Sequence, residues 1–174
     1  GYNGLKAVSY ACFDLADASS EQLLLSLASV MLDWELADTP VFDGLSSDTL
    51  AQLLRSNPQS VVDCCQAALR ENADHLSVLA LFIDRLEVLL SSPLFTEVER
   101  HLFIELIELF ASSGCVLVIS ACRNDFYPLL VEYPSLMAGK SRGAHFDLAP
   151  PSRHELLQMV RLPAIAANLN WEFD

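Results

Sequence analysis

The stretch that most restricts the fold runs from Leu76 to Leu90, LSVLALFIDRLEVLL. From Val78 to Asp84, six of the seven residues are apolar and the run ends on an acid. A strand buried on both faces reads as such an unbroken run, because helices cover both sides of a parallel sheet. Asp84 falls at its carboxyl end. In open α/β sheets that is the edge where ligands bind. The plainer reading is a core strand that ends on a solvated Asp.

Two further segments carry related patterns. Lys6–Asp14, KAVSYACFD, reads as a strand that also ends on Asp. Residues 115–121, CVLVISA, read as a second fully apolar strand, followed by Arg123-Asn124-Asp125-Phe126. Helical patterns fill the intervals. Ser19 and Gln22 have capping-box spacing and open an amphipathic helix over 20–35. Residues 36–45 read as a loop, and a helix follows over 47–55. Asn57 and Pro58 start another, which runs to about Glu71; proline suits the first helical position, where the N–H has no partner to lose. Residues 85–90 form a short helix. Thr96 and Glu99 make a second capping box, and Gly114 ends that helix as a C-terminal cap. Residues 126–137 read as one or two short helices, 139–143 as a basic turn and 144–148 as a short strand. Ser152 and Glu155 cap a last helix that Pro163 ends.

Strand and helix alternate along the chain, which predicts an α/β fold: a parallel sheet with helices on both faces. The 174 residues fit one sizeable core. We place that core in 1–149 and the start of a second, helical part in 150–174. The chain begins at Gly1 and not at Met, and is expected to be cut from something longer.

Composition excludes several classes. The sequence has 23 acidic and 10 basic residues, a net charge of −13. Such a surface repels phosphate backbones, so no nucleic acid is expected to bind through this segment. No apolar run reaches ~18 residues, the length of a membrane span, and no basic-then-apolar leader is present. Mean hydropathy is +0.33, against disorder. Five Cys without a CxxC spacing argue for reduced thiols in a cytoplasmic protein and against zinc.

The chemistry-bearing residues cluster after the two apolar strands. Asp84 is placed to hold a Mg²⁺-bound water, as a strand-end carboxylate does beside a phosphate site. Glu87 lies one helical turn on and is a candidate to polarise an attacking water; alternatively it pairs with Arg85 or with solvent. Ser120 and Arg123 are candidates to contact a terminal phosphate, by a hydroxyl and a guanidinium fork. Alternatively Arg123 pairs with Asp125 or Asp84 and fixes a turn. Gly139-Lys140-Ser141 is rejected as a phosphate loop, because no strand precedes it and Pro134 stands where the first Gly is needed. The four His share no metal-ligand spacing, and no nucleophile elbow occurs.

These segments resemble the novel STAND NTPases of bacteria. LALFIDRLEVLL is similar to that family's Walker B strand, an apolar run leading to Asp-x-x-Glu. SACRNDFYPLLVEYPSLM resembles its Arg-x-Asp-Phe-Tyr fingerprint, and FDLAPPSRHELLQMVRLPA its closing helix with a Pro-Ala end. The resemblance implies a P-loop NTPase-like core of the AAA+/STAND type over 1–149 and the start of a helical lid over 150–174. It makes Asp84 the Walker B aspartate and Glu87 the second acid. It sets Arg123 and Asp125 after the sensor strand. Arg85 departs from the neutral polar residue common there.

The phosphate loop and its strand are absent from the sequence, so the core is expected to be incomplete. ATP and Mg²⁺ are expected in the full-length protein and neither in this segment, which should not hydrolyse ATP alone. By the resemblance, the missing strand lies between the sensor strand and the last one. The last strand is therefore expected to be displaced, or the gap filled by a second chain through homo-oligomer formation or strand exchange. The implied function is an ATP-binding switch in a multidomain signalling or transcriptional regulator, with other domains of the same chain as partners. The competing reading is a non-catalytic interaction scaffold on the same fold. An acidic hydrolase of another α/β type is a third.

Overall fold

The apolar runs become strands and the amphipathic stretches become helices. The computed structural model describes residues 4–18, 22–141 and 145–168. In chain order the elements are β1 (Lys6–Asp14), α1 (Leu23–Met31), β2 (Glu35–Leu36), β3 (Thr39–Pro40), α2 (Ser47–Ser56), α3 (Pro58–Asn72), β4 (Ser77–Asp84), α4 (Leu86–Ser91), α5 (Glu97–Ser112), β5 (Val116–Ser120), a 3-10 turn (Asn124–Phe126), α6 (Tyr127–Leu130), α7 (Pro134–Ser141) and α8 (Arg153–Ala166). The chain divides into two compact units, Gly1–Arg142 and Gly143–Asp174.

Among the described residues the main sheet has the order β1-β4-β5, with both pairings parallel. The α/β class and the parallel sheet flanked by helices are as the sequence predicts. Residues in register across a parallel sheet share a face. One face carries Ala11 and Phe13, Leu79, Leu81 and Ile83, and Val116, all in the main core with Leu27, Met31, Cys65, Phe103 and Phe110 from the helices. On the other face Val78 and Ala80 are buried, whereas Tyr10, Phe82 and Ile119 are exposed. β5 pairs with β4 on one side and has no strand on the other among the described residues.

Local chemistry explains the element ends. Thr96 and Glu99 form both bonds of a capping box, as do Ser152 and Glu155. Gly114, at φ +74°, turns the chain from α5 into β5, a conformation that glycine adopts without steric cost. The proposed capping residue Ser19 lies outside the described residues. Asn57 stands at the N-cap of α3 but makes no side-chain cap bond.

Five expectations are corrected. The first helix stops at Met31, not at residue 35. Trp34 leaves the helical path to bury its ring fully and donate its indole N–H to the Ala80 carbonyl at 3.1 Å. Glu35 and Leu36 then pair with Thr39 and Pro40 in a hairpin inside the expected loop. Its two turn residues, Ala37 and Asp38, both take positive φ, as two-residue hairpins of this kind require. Residues 145–148 form no strand: the imidazole of His145 bonds the Asp147 carboxylate instead. Gly139 lies in α7 and not in a turn. Finally, α8 runs through Pro163 to Ala166.

Trp34 ties the α1–β2 connection to the central strand. Replacing Trp34 with Phe removes the donor and part of the packed volume. We expect a loss of about 2 kcal/mol, the sum of a net hydrogen bond and a small cavity. Equilibrium urea unfolding measures it, and an unchanged midpoint would show that the indole bond contributes nothing.

Candidate functional site

Parallel pairing brings the carboxyl ends of all three strands to one edge. Asp14 stands opposite Asp84 in register, and Ile83 opposite Ser120. The β4–β5 ladder continues past the strands. The Ala121 N–H donates to the Ile83 carbonyl at 2.9 Å, and the Leu86 N–H to the Ala121 carbonyl at 2.9 Å. Asp84 and the Ala121–Arg123 segment therefore occupy the same rim.

Each candidate side chain has a defined place there. Asp84 is half-buried, and its Oδ1 accepts the Arg85 N–H at 2.8 Å. That short contact goes with the left-handed backbone of Arg85, at φ +53°, where the chain turns into α4. Ser120 is exposed at the end of β5. The Arg123 guanidinium grips Asp125 with two bonds, of 3.1 and 2.7 Å, and lies 5.3 Å from the ring centre of Phe126. Glu87 neither pairs with Arg85 nor faces solvent. Only 6% of it is exposed, and its Oε2 accepts the Arg123 N–H at 3.2 Å. The Cys122 thiol lies beside it. Burial first, and then the Glu87 carboxylate, push that thiol up to about 11.

Asp14 carries no role in the sequence reading, and its contact with Arg85 was not foreseen. Arg85 donates from Nε to Asp14 Oδ1 at 2.7 Å and from Nη2 to Oδ2. The Ala16 N–H adds a third bond at 3.0 Å. The Arg85 bond, then that of Ala16, hold the Asp14 carboxyl below the ordinary range. The signal was present: two neighbouring apolar strands each end on Asp, with an Arg directly after the second.

A Mg²⁺ ion is commonly held by one or two carboxylates together with waters and substrate phosphates. Asp84 fits such a water-bridged contact. Among the described residues no cluster of three or more His, Cys, Asp or Glu forms a cage for an ion. A triphosphate also needs a cradle of backbone N–H groups. The Gly139-Lys140-Ser141 triplet closes α7 and does not open a helix, so it supplies none. The described residues thus bring an acid and a guanidinium to one rim, and the triplet adds no cradle of N–H groups to it. Two cavities lie elsewhere. One of about 380 Å³ lies between α1 and α2; the other, of about 500 Å³, lies at the opposite end of the sheet, by Ser77 and Cys115. No helix among the described residues is long and apolar enough to cross a membrane.

A parallel sheet flanked by helices, with an acidic strand end and an arginine beside it, is consistent with a P-loop NTPase-like fold. The sequence model of the family described as novel STAND NTPase 1 matches residues 12–174. The chain belongs to that family. No curated protein and no solved structure gives a match.

The Asp14–Arg85 pair predicts a pH dependence. The folded carboxyl is held below the unfolded value of about 3.9, so its contribution to stability is present above that pH and fades as pH falls through the folded value. Replacing Arg85 with Met should return Asp14 toward the unfolded value, leaving only the smaller effect of Ala16. Carbon-detected NMR titration of the Asp14 carboxyl reads this. Identical curves for both proteins would mean that the pair does not form in solution.

Proposed function

We propose that this domain is the nucleotide-binding part of an ATP-dependent switch in a multidomain bacterial regulator of signalling or transcription, working in the cytoplasm. The observation that carries the reading is the meeting of Asp84 and the Arg123 segment on one carboxyl rim. In the full-length protein, ATP with Mg²⁺ supplies the triphosphate that the switch reads. Asp84 orients a Mg²⁺-bound water, while the Ser120 hydroxyl and the Arg123 fork face the terminal phosphate, with Asp125 setting the fork's direction. The core extends over 1–149, and 150–174 begin a helical lid. Coupling to an effector then runs through other domains of the same chain.

The free side of β5 belongs to this proposal. Unpaired N–H and C=O groups on an edge strand template another strand. A strand from elsewhere in the full-length protein, or from a second copy, completes the sheet there.

One observation favours a scaffold instead. Both arginines of the rim are already paired with carboxylates of their own chain. Calorimetry on the full-length protein separates the two readings. The switch reading expects micromolar Mg-ATP affinity, weakened at least tenfold by Asp84→Ala, because losing a charged hydrogen bond costs about 1.5–3 kcal/mol. The 174-residue chain alone should bind no Mg-ATP. Absence of binding by the intact protein would favour the scaffold.

A further inference from the structure

Glu87 has the geometry of a latch. It is the one charged residue among the described residues that is more than nine-tenths buried. A carboxylate taken out of water needs hydrogen bonds to offset its desolvation. Its Oε2 finds the backbone N–H of Arg123, 36 positions along the chain, at 3.2 Å. The Cys122 thiol packs on the same carboxylate. Glu87 also sits in the first turn of α4, where a negative charge is favourable. A group that activates water needs water within reach of a free lone pair. Here Oε2 is taken up by the Arg123 backbone and the side chain as a whole is buried.

The contact completes a set of three bonds between the β4–α4 turn and the segment after β5. Ala121 donates to Ile83, Leu86 donates to Ala121, and Arg123 donates to Glu87. The first two bonds are backbone to backbone and do not depend on side-chain type. The third does, and it acts on the residue that carries the guanidinium. Beyond that point the Arg123 guanidinium pairs with the exposed Asp125 and lies over the half-buried ring of Phe126.

We propose that Glu87 is a positioning residue: its buried carboxylate latches the backbone at Arg123 and so fixes where the Arg123 guanidinium stands on the rim, instead of polarising water. Position along α4 is thereby transmitted to the segment after β5. The latch rests on the contact between Glu87 and the Arg123 backbone; its consequence for nucleotide rests on the switch reading above.

Two substitutions of similar length separate the roles. Glu87→Gln keeps an acceptor oxygen, whereas Glu87→Met fills the space without one. On the 174-residue chain, hydrogen exchange of the Arg123 amide should be slow in the wild type. It should stay within about threefold of that rate in Glu87→Gln and rise at least tenfold in Glu87→Met, since a net hydrogen bond is worth about 1 kcal/mol or somewhat more. An unprotected Arg123 amide in the wild type overturns the latch without any variant, as does equal exchange in Gln and Met. In the full-length protein, Glu87→Gln should retain kcat for ATP within a few-fold, with Glu87→Met losing nucleotide affinity. Loss of kcat in Glu87→Gln, with Arg123 still protected and affinity unchanged, would make Glu87 the water-activating base. If no form binds nucleotide, the switch reading fails, and the amide data alone decide the latch.

Discussion

Two backbone ladders flanking β4 fix where the polar strand ends of this domain meet. Parallel strands send all their carboxyl ends to one rim, so a residue that ends an apolar run is delivered there whatever its neighbours are. Asp14 and Asp84 face each other in register for that reason, and Ser120 follows one step away. The ladders need burial to persist. The core face of β4 supplies it through Leu79, Leu81 and Ile83, each at 1% exposure or less. Burial makes the strands, the strands make the rim, and the rim gathers the acids and arginines.

The legible part of this architecture is the part set by local pattern. The β4 run, the Thr96 and Ser152 capping boxes, the glycine after α5 and the proline opening α3 all carry chemistry within a few residues. The family resemblance is likewise local, carried by the β4 run, the Arg123–Tyr127 segment and the tail around Ser152–Ala164. The illegible part depends on distant partners. Trp34 sits at helical spacing from Val30 and Met31, so periodicity assigns it to α1. Its indole instead finds a carbonyl 46 residues away, and the helix stops. The hairpin at Ala37-Asp38 lacks the usual Asn-Gly signal, and nothing local marks it. Pro163 reads as a stop, yet a helix loses one bond at a proline and can continue where the rest of the turn is intact.

The site divides in the same way. That Asp84 and Arg123 share a rim follows from strand order. Which carboxylate takes which arginine does not. Spacing along the chain suggests Arg85 for Glu87, two residues on. The left-handed turn at Arg85 instead sends its guanidinium across to Asp14, 71 positions back, while Glu87 turns inward on α4. One backbone angle at the strand end thus separates two neighbouring charges onto different partners. No pattern in the sequence announces a positive φ at an arginine.

The rim is therefore ordered, and both of its arginines are already paired, Arg85 with Asp14 and Arg123 with Asp125, with Asp84 and Glu87 as further acids. In a chain of net charge −13 this matters for any anion that approaches. Long-range attraction is weak, since each guanidinium is already balanced at short range. Displacement is nevertheless inexpensive. Exposed ion pairs are worth about 0–1 kcal/mol, and both pairs leave much of their side chains in solvent. A phosphate already held nearby would need to overcome only that exchange to take the Arg123 fork. The backbone beneath Arg123 meets the buried Glu87 carboxylate, whereas the ion pair above it stands in solvent. The guanidinium can thus change partners while its base stays in place, which is the mechanical requirement for a residue that reports on a bound anion.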